Sequence, residues 1–166
     1  DGHDDLAIGE FDKFIRNFPR SVKVPEALLY KGVSQQKLGK YDDAIATFEM
    51  VLSQYQNSLA IDDALYFLGE TYFTLGKLDE ALDAFNRLTS QYRDSTYLFQ
   101  AIDRIGDIFY QQAKFSLAIQ SYMYVLEQST YSGAKEDVLL KLGNGYRQDQ
   151  QYKKAIDTYQ KAIQDF

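Results

Sequence analysis

Adjacent carboxylates are the side chains with the most obvious chemical potential, and they form the pairs Asp4/Asp5, Asp42/Asp43 and Asp79/Glu80. Two neighbouring carboxylates can share the roles of general acid and general base. These pairs, however, stand at one position of a 37-residue period, each just before an apolar pattern of helical spacing. Negative charge in the first turn of a helix is favoured by the helix dipole. The spacing therefore predicts helix N-termini and not an acid–base site.

His3 is the only histidine, and it lies among acidic residues in the sequence DGHDD. A zinc site needs several spaced histidine or cysteine ligands, but the chain has no cysteine and no second ligand cluster. Gly143 and Gly145 lie inside a helical pattern, without the preceding strand or following lysine of a phosphate-binding loop. A Ser/His/Asp triad cannot be built around one terminal histidine. We therefore expect no catalytic residue, no metal, no cofactor and no enzymatic activity.

Small and aromatic residues recur along the whole chain every 37 positions, without insertion or deletion. An aromatic follows each alanine by four residues, in the pairs Ala7/Phe11, Ala44/Phe48, Ala81/Phe85, Ala118/Tyr122 and Ala155/Tyr159. Other residues share the period, at Gly32, Gly69, Gly106 and Gly143, and at Ser21, Ser58, Ser95 and Ser132. A fixed period of this length indicates a stacked array, in which each repeat buries its apolar face against its neighbours.

Within one repeat, the apolar residues follow the period of an α-helix. Leu65 and Tyr72 share one face of a first helix, which Gly76 ends. A second helix carries Phe85, and Ser95 is expected to cap the helix that follows. The predicted helices cover residues 5–18, 24–38, 41–55, 59–75, 78–92, 96–112, 115–129, 134–149 and 152–166. No segment alternates between apolar and polar residues as a strand would.

The composition is that of a soluble domain long enough to bury a continuous core, with 45% hydrophobic and 25% charged residues among 166. No apolar run approaches the ~18 residues of a membrane-spanning helix. The net charge is −6, and no basic patch is visible, so nucleic acid is not expected as a partner. Direct membrane insertion is not expected either.

The combined pattern resembles the tetratricopeptide repeat (TPR), W-x2-L-G-x2-Y…A-x3-F…P, a helix–turn–helix of ~34 residues. Good copies start at Leu65, Ile102 and Leu139, and each is followed by the alanine–aromatic pair. In the copy before these, Lys31 and Gln35 occupy two apolar slots. The resemblance covers the whole chain and implies an all-α fold, a right-handed α-solenoid of stacked antiparallel helix pairs (the TPR superhelix) with about nine helices.

The implied array is a single domain, residues 1–166, and we expect it to be a fragment of a longer protein. Its parts are a partial repeat at 1–20, which supplies a second helix only, and repeats at 21–57, 58–94, 95–131 and 132–166. The helix around Phe11 lacks an upstream partner, and Ile156 and Ile163 near the other end would be left partly open. Exposed apolar surface of this kind predicts self-association through the ends of the solenoid.

The three residues beyond the family's usual period lie between one hairpin and the next. With aromatic-x-x-Ser segments such as Phe18 to Ser21 and Tyr55 to Ser58, this spacing resembles bacterial envelope TPR proteins. These include the Tol-Pal-associated periplasmic protein and the outer-membrane-assembly lipoprotein, which bridge other envelope proteins. The resemblance implies a periplasmic or envelope-associated location, with the cytoplasm as the alternative.

In the family, the inner face of the first helices lines a groove that binds a peptide or protein partner. On the matching positions of this sequence, the groove comprises Leu29, Val33, Asp63, Tyr66, Glu70, Phe73, Asp103, Asp107, Tyr110, Leu140, Asn144 and Arg147. Aromatic anchors rimmed by carboxylates would give a negative surface suited to a partner segment with basic or neutral flanks. The alternative is that Tyr66, Phe73 and Tyr110 only pack against adjacent helices.

Two functions therefore remain open. The first is a non-catalytic adaptor or scaffold that holds a partner segment in its groove, in a bacterial envelope complex. The second is a regulatory or oligomerisation module of a larger enzyme or signalling protein.

Overall fold

A computed structural model describes residues 2–128 and 135–165, which form helices and turns without a strand. The helices are α1 (Gly2–Asn17), α2 (Val24–Lys37), α3 (Tyr41–Gln54), α4 (Ile61–Thr74), α5 (Leu78–Gln91), α6 (Leu98–Gln111), α7 (Phe115–Gln128), α8 (Lys135–Gln148) and α9 (Tyr152–Asp165). Each corresponds to a predicted helix, so the predicted all-α fold with nine helices is confirmed over the described residues. The first helix starts three residues earlier than expected, with exposed His3 inside it.

The chain forms two compact units, Asp1–Tyr97 with α1 to α5 and Leu98–Phe166 with α6 to α9. In the first unit, α1 packs on α2, and the pairs α2/α3 and α4/α5 are hairpins. In the second unit, the hairpins are α6/α7 and α8/α9. The paired helices and their short turns place α2, α4, α6 and α8 in the role of first helices.

Each first helix ends in a turn that requires a left-handed residue. At the end of α4, Gly76 has φ +72°, and the Lys77 amide donates to the Tyr72 carbonyl oxygen over 2.9 Å. This satisfies a carbonyl that the helix end would otherwise leave without a partner. The same position holds Ala113 with φ +56° and Gln150 with φ +61° in the second unit. L-residues adopt this conformation only at a cost, since their Cβ crowds the backbone.

The repeated glycine marks the closest approach inside each hairpin. A Cβ on Gly69 would lie 2.6 Å from the ring of Phe85, which is fully buried. The same contact recurs in the other hairpins, in the pairs Gly32/Phe48, Gly106/Tyr122 and Gly143/Tyr159. Ala81 is buried as well. The small-against-large pattern of the sequence is therefore a packing rule that joins the two helices of one hairpin.

The repeated serine lies outside the helix that it was expected to cap. The Oγ of Ser95 accepts a hydrogen bond from the Tyr97 amide over 3.2 Å, in the turn before α6 begins at Leu98. Ser21 and Ser58 make the same contact two residues ahead. The N-cap prediction for Ser95 was wrong, because the serine hydroxyl orders the inter-hairpin turn instead. The fourth repeated serine, Ser132, lies outside the described residues.

The two polar residues in the weaker first helix have partners. Lys31 Nζ donates to Asp12 Oδ1 of α1 over 2.7 Å. The buried side chain of Gln35 accepts a hydrogen bond from Thr47 Oγ1 of α3 over 2.7 Å. Both polar substitutions in the repeat pattern are therefore compensated by neighbouring helices.

Candidate functional site

We call the side of the first helices that carries the predicted groove residues the first-helix surface. In the first unit, α2 and α4 form it, and it combines one buried residue with half-buried ones. Leu29 on α2 is only 3% exposed and belongs to the core, although its side chain forms part of the wall of a surface cleft. The other predicted residues of this unit are all half-buried, namely Val33, Asp63, Tyr66, Glu70 and Phe73. The surface available to a partner therefore consists of the partly exposed edges of α2 and α4.

Tyr66 is held in a cluster of aromatic rings. Its ring stacks on Tyr97 with centroids 4.3 Å apart and an interplanar angle of 12°. Phe67 contacts Tyr97 edge-on at 5.4 Å, and Phe85 lies 6.0 Å from Tyr66. Tyr66 therefore packs against aromatic rings of its own unit while remaining half-buried. Tyr97 could not be found from the repeat pattern, because the equivalent positions, Lys23 and Ala60, are not aromatic.

In the second unit, an ion-pair cluster occupies the first-helix surface. Lys141 Nζ of α8 lies 2.7 Å from Asp103 Oδ2 and 3.1 Å from Asp107 Oδ2, both on α6. It also lies 3.2 Å from the exposed carboxylate of Asp137. Arg104 adds a contact of 3.1 Å to Asp107. The negative charge expected at Asp103 and Asp107 is therefore offset locally, because both carboxylates pair with basic side chains of the same unit.

Burial and charge act in opposite directions on this cluster. Burial raises the pKa of Asp103, and the hydrogen bond from Lys141 only partly opposes that rise. Burial lowers the pKa of Lys141, but the carboxylates of Asp103 and Asp107 outweigh it and leave the pKa above its ordinary value. Asp103 Oδ1 is buried without a hydrogen-bond partner among the described residues. The ammonium group is therefore the main stabilising partner of the Asp103 carboxylate.

Two predicted groove residues serve as acceptors for buried or half-buried tyrosines of the same hairpin. Tyr122 Oη of α7 donates to Asp107 Oδ1 over 2.9 Å. Tyr159 Oη of α9 donates to Asn144 Oδ1 over 2.8 Å. Burial and the neighbouring Asp107 charge raise the pKa of Tyr122, so its hydroxyl stays protonated and donates. Asp107 and Asn144 thus have structural partners inside the protein.

The remaining predicted residues of the second unit differ in exposure. Tyr110 packs on the core of this unit and meets Phe115 edge-on, with centroids 5.5 Å apart. Leu140 and Arg147 on α8 are exposed. Of the predicted groove residues in this unit, only these two have exposed side chains, and both can contact a partner.

A cleft of about 790 Å³ opens at the edge of the first unit. It is built from the turn before α2, the exposed side of α2, the end of α3 and the turn that leads into α4. We call it the edge cleft, and its lining residues are Val22, Lys23, Pro25, Glu26, Leu29, Tyr30, 54–60 and Asp63. It includes two residues of the predicted groove, Leu29 and Asp63. The loop residues were missed because the family's groove positions lie only on helices.

A second cleft, of about 660 Å³, lies among α3, α4 and α5. Tyr72 Oη donates to Glu49 Oε1 there over 3.1 Å, and burial raises the pKa of Tyr72 to about 12. Asp79 and Glu80 line this cleft from the first turn of α5. Their predicted position at a helix N-terminus is confirmed, as is that of Asp42 and Asp43 in α3 and of Asp4 and Asp5 in α1.

Residues 2–128 and 135–165 contain no group of three or more histidine or acidic side chains arranged to hold a metal ion. Within the same ranges, none of the helices has the length and apolar character that crossing a bilayer requires.

Similar helix arrangements are found in solved structures of other proteins. A crystal structure of MamA superposes with a TM-score of 0.80 at 22% identity, over 98% of this chain and 82% of that one. MamA from Desulfovibrio magneticus gives a TM-score of 0.81 at 17% identity, over 98% and 85% of the two chains. A TPR protein from Parabacteroides merdae gives 0.82 at 19% identity, over 99% and 60%. At these identities, the likeness shows the fold alone.

Sequence models support the same family. Among curated proteins, none matches this chain at a significant level. Models of the tetratricopeptide repeat match residues 24–94 and 137–166, which together exceed half of the chain. With the repeated hairpins and their glycine–aromatic packing, these matches show that the chain belongs to the tetratricopeptide repeat family.

Proposed function

We propose that this protein is a non-catalytic scaffold that holds a segment of a partner protein against the first-helix surface. TPR proteins typically mediate protein–protein interaction, and the chain belongs to that family. The observation that carries the proposal is that first-helix side chains at one repeat position are incompletely buried. Val33, Glu70 and Asp107 stand at the same position of successive repeats, and each is only partly covered by its own fold. A partner that covers such positions gains contact area in every repeat.

We place this scaffold in a bacterial envelope complex. The support is the 37-residue period and the aromatic-x-x-Ser turns, whose serines order the inter-hairpin backbone. Fractionation of the producing cells would test the location. Recovery with the periplasm or the membranes is expected, and exclusive recovery with the cytoplasm would contradict the proposal.

Site-specific photo-crosslinking would test the binding surface. Benzoylphenylalanine at Val33 or Arg147 reports on the first helices, and the same group at Asn86 or Gln120 reports on exposed second-helix positions. We expect crosslinks to one partner from the first-helix positions and few from the controls. The reverse pattern, with crosslinks from Asn86 and Gln120 alone, would refute binding at the first-helix surface.

A second function, as an oligomerisation module, is favoured by the apolar face of α9. Ile156 is 56% exposed, whereas Ile119, which stands 37 residues earlier, is 6% exposed and lies against Gly145 of α8. The repeat thus uses this position for contact with a further helix. We expect the chain to self-associate at high concentration and Ile156→Ser to abolish this in sedimentation velocity. A strictly monomeric protein at all concentrations would remove this second function.

A further inference from the structure

The edge cleft of the first unit has a wall that the longer repeat creates. Val22 and Leu59 stand 37 residues apart, in the two inter-hairpin turns that contain the extra residues. Both line the cleft and are 90% and 97% exposed, so nearly all of their apolar surface is open to contact. Tyr30 is half-exposed beside them, and Leu29 forms a buried apolar floor. Apolar surface in this arrangement gains from contact with an apolar side chain, because water is released.

The charge at the cleft is unevenly compensated. Lys23 Nζ donates to Glu26 Oε2 over 2.6 Å, so these two lining charges satisfy each other. Asp63 is half-buried at the other side of the cleft, and no described basic side chain lies within ion-pair distance of it. Burial raises the pKa of Asp63, and the neighbouring Asp62 charge raises it further. A ligand with a positive charge would supply a cationic partner.

We infer that the edge cleft binds an extended segment of a partner protein that carries an aliphatic side chain beside a lysine or arginine. The aliphatic side chain contacts Val22, Leu59 and Tyr30, and the cationic group pairs with Asp63. A cleft of about 790 Å³ has the size of sites that bury a few side chains. The inference rests on the proposed scaffold function and assigns it a location and a partner chemistry.

This location differs from the first-helix surface of the second unit. There, Lys141 and Arg104 already pair with Asp103 and Asp107, so a basic ligand would have to displace internal ion pairs. The Asp63 carboxylate has no ion pair with a described basic side chain, so a basic ligand can pair with it without displacing one. Charge complementarity therefore favours the edge cleft as the site for a basic segment.

Selection of phage-displayed random dodecapeptides on the whole chain would test the inference. We expect enriched peptides to carry Leu, Ile or Val next to Lys or Arg. In fluorescence polarisation with the enriched peptides, Leu59→Ser and Asp63→Asn should each weaken binding by about tenfold, since each removes a central contact. The matched controls are Leu6→Ser, an exposed leucine outside the cleft, and Asp62→Asn, the adjacent carboxylate. Both controls should stay within about twofold of the unmodified protein.

A variant can also lose affinity because it misfolds. Reversing the charge of both Asp63 and the peptide separates this case from the loss of a contact. Asp63→Lys should lose the basic peptides and bind versions in which glutamate replaces lysine or arginine. Failure of that exchange, enrichment of acidic peptides, or no enrichment would overturn the inference. Enriched peptides that are insensitive to Leu59 and Asp63 but crosslink to Val33 or Arg147 would also overturn it, while leaving the scaffold function in place. Dimerisation of the unmodified chain in sedimentation velocity that is lost in Leu59→Ser, without enrichment of any peptide, would instead assign the cleft to a second copy of this chain.

Discussion

Replacement of Lys141 by methionine should destabilise the second unit, because it leaves two nearby carboxylates without their shared cation. Methionine keeps the unbranched apolar stem of the side chain and removes the charge. Removing one member of a buried ion pair typically costs about 3–5 kcal/mol. The side chains of Lys141, Asp103 and Asp107 are 22%, 19% and 15% exposed, so solvent screens part of the charge. We therefore expect a loss of about 2–4 kcal/mol in the free energy of unfolding at pH 7.

The pH dependence distinguishes this charge effect from simple loss of packing. The folded-state pKa of Asp103 is already raised by burial and should rise further without Lys141. A carboxyl whose folded pKa lies above its unfolded value costs stability when it is ionised, and the cost disappears as the pH falls below the unfolded value. The gap between Lys141→Met and the unmodified protein should therefore narrow between pH 7 and pH 5. Urea denaturation followed by circular dichroism at both pH values measures this gap.

Asp137→Asn is the matched control for this experiment. Asp137 also contacts Lys141, at 3.2 Å, but its side chain is 67% exposed. Exposed ion pairs contribute little, so the variant should lose less than about 0.5 kcal/mol. A Lys141→Met loss as small as that of the control, or a gap that stays constant from pH 7 to pH 5, would refute the reasoning.

Three further changes test the packing and the surfaces. Ala113→Gly should stabilise the protein by about 0.5–1 kcal/mol and raise Tm by about 2–3 °C, because it relieves a left-handed L-residue; a lower Tm would contradict this. Gly69→Ala should cost about 1–2 kcal/mol in urea denaturation despite its gain in helix propensity, because the new Cβ meets Phe85. Its control, Gly9→Ala, meets nothing within 4 Å and should stabilise α1 slightly; equal effects would show that packing is not responsible. Ile163→Ser should reduce any self-association in sedimentation velocity without lowering Tm, because this side chain is 80% exposed.

The fold could be predicted from the sequence because the same pattern of small and aromatic residues recurs in every repeat. Gly69 and Phe85 are opposite in size and stand at a fixed distance in the chain, which predicts close helix packing; that the two residues contact each other inside one hairpin is a finding of the structure. Helix starts were also predictable where carboxylates such as Asp79 mark a first turn. The exception was Ser95, whose hydroxyl was assigned to a helix although it belongs to the turn before it.

The candidate site could be predicted only in part, because partnerships between side chains depend on residues that do not repeat. Lys141 was not recognised as the partner of Asp103, since it lies 38 residues away in sequence and outside the groove positions of the family. The edge cleft was missed for a similar reason. Its exposed residues, Val22 and Leu59, lie in turns, where periodicity gives no information on exposure.

The tyrosine hydroxyls have a consequence for the fidelity of folding. Arrays of similar repeats can mispair, because the hairpins share one apolar pattern. Tyr122 and Tyr159 each need an acceptor on the first helix of their own hairpin, which Asp107 and Asn144 supply. The equivalent residue in the first hairpin is Val33, which offers no side-chain acceptor. If α7 paired with α2, the buried Tyr122 would meet Val33 at the position of Asp107 and its hydroxyl would lose its acceptor, so the Tyr122–Asp107 pair disfavours this mispairing.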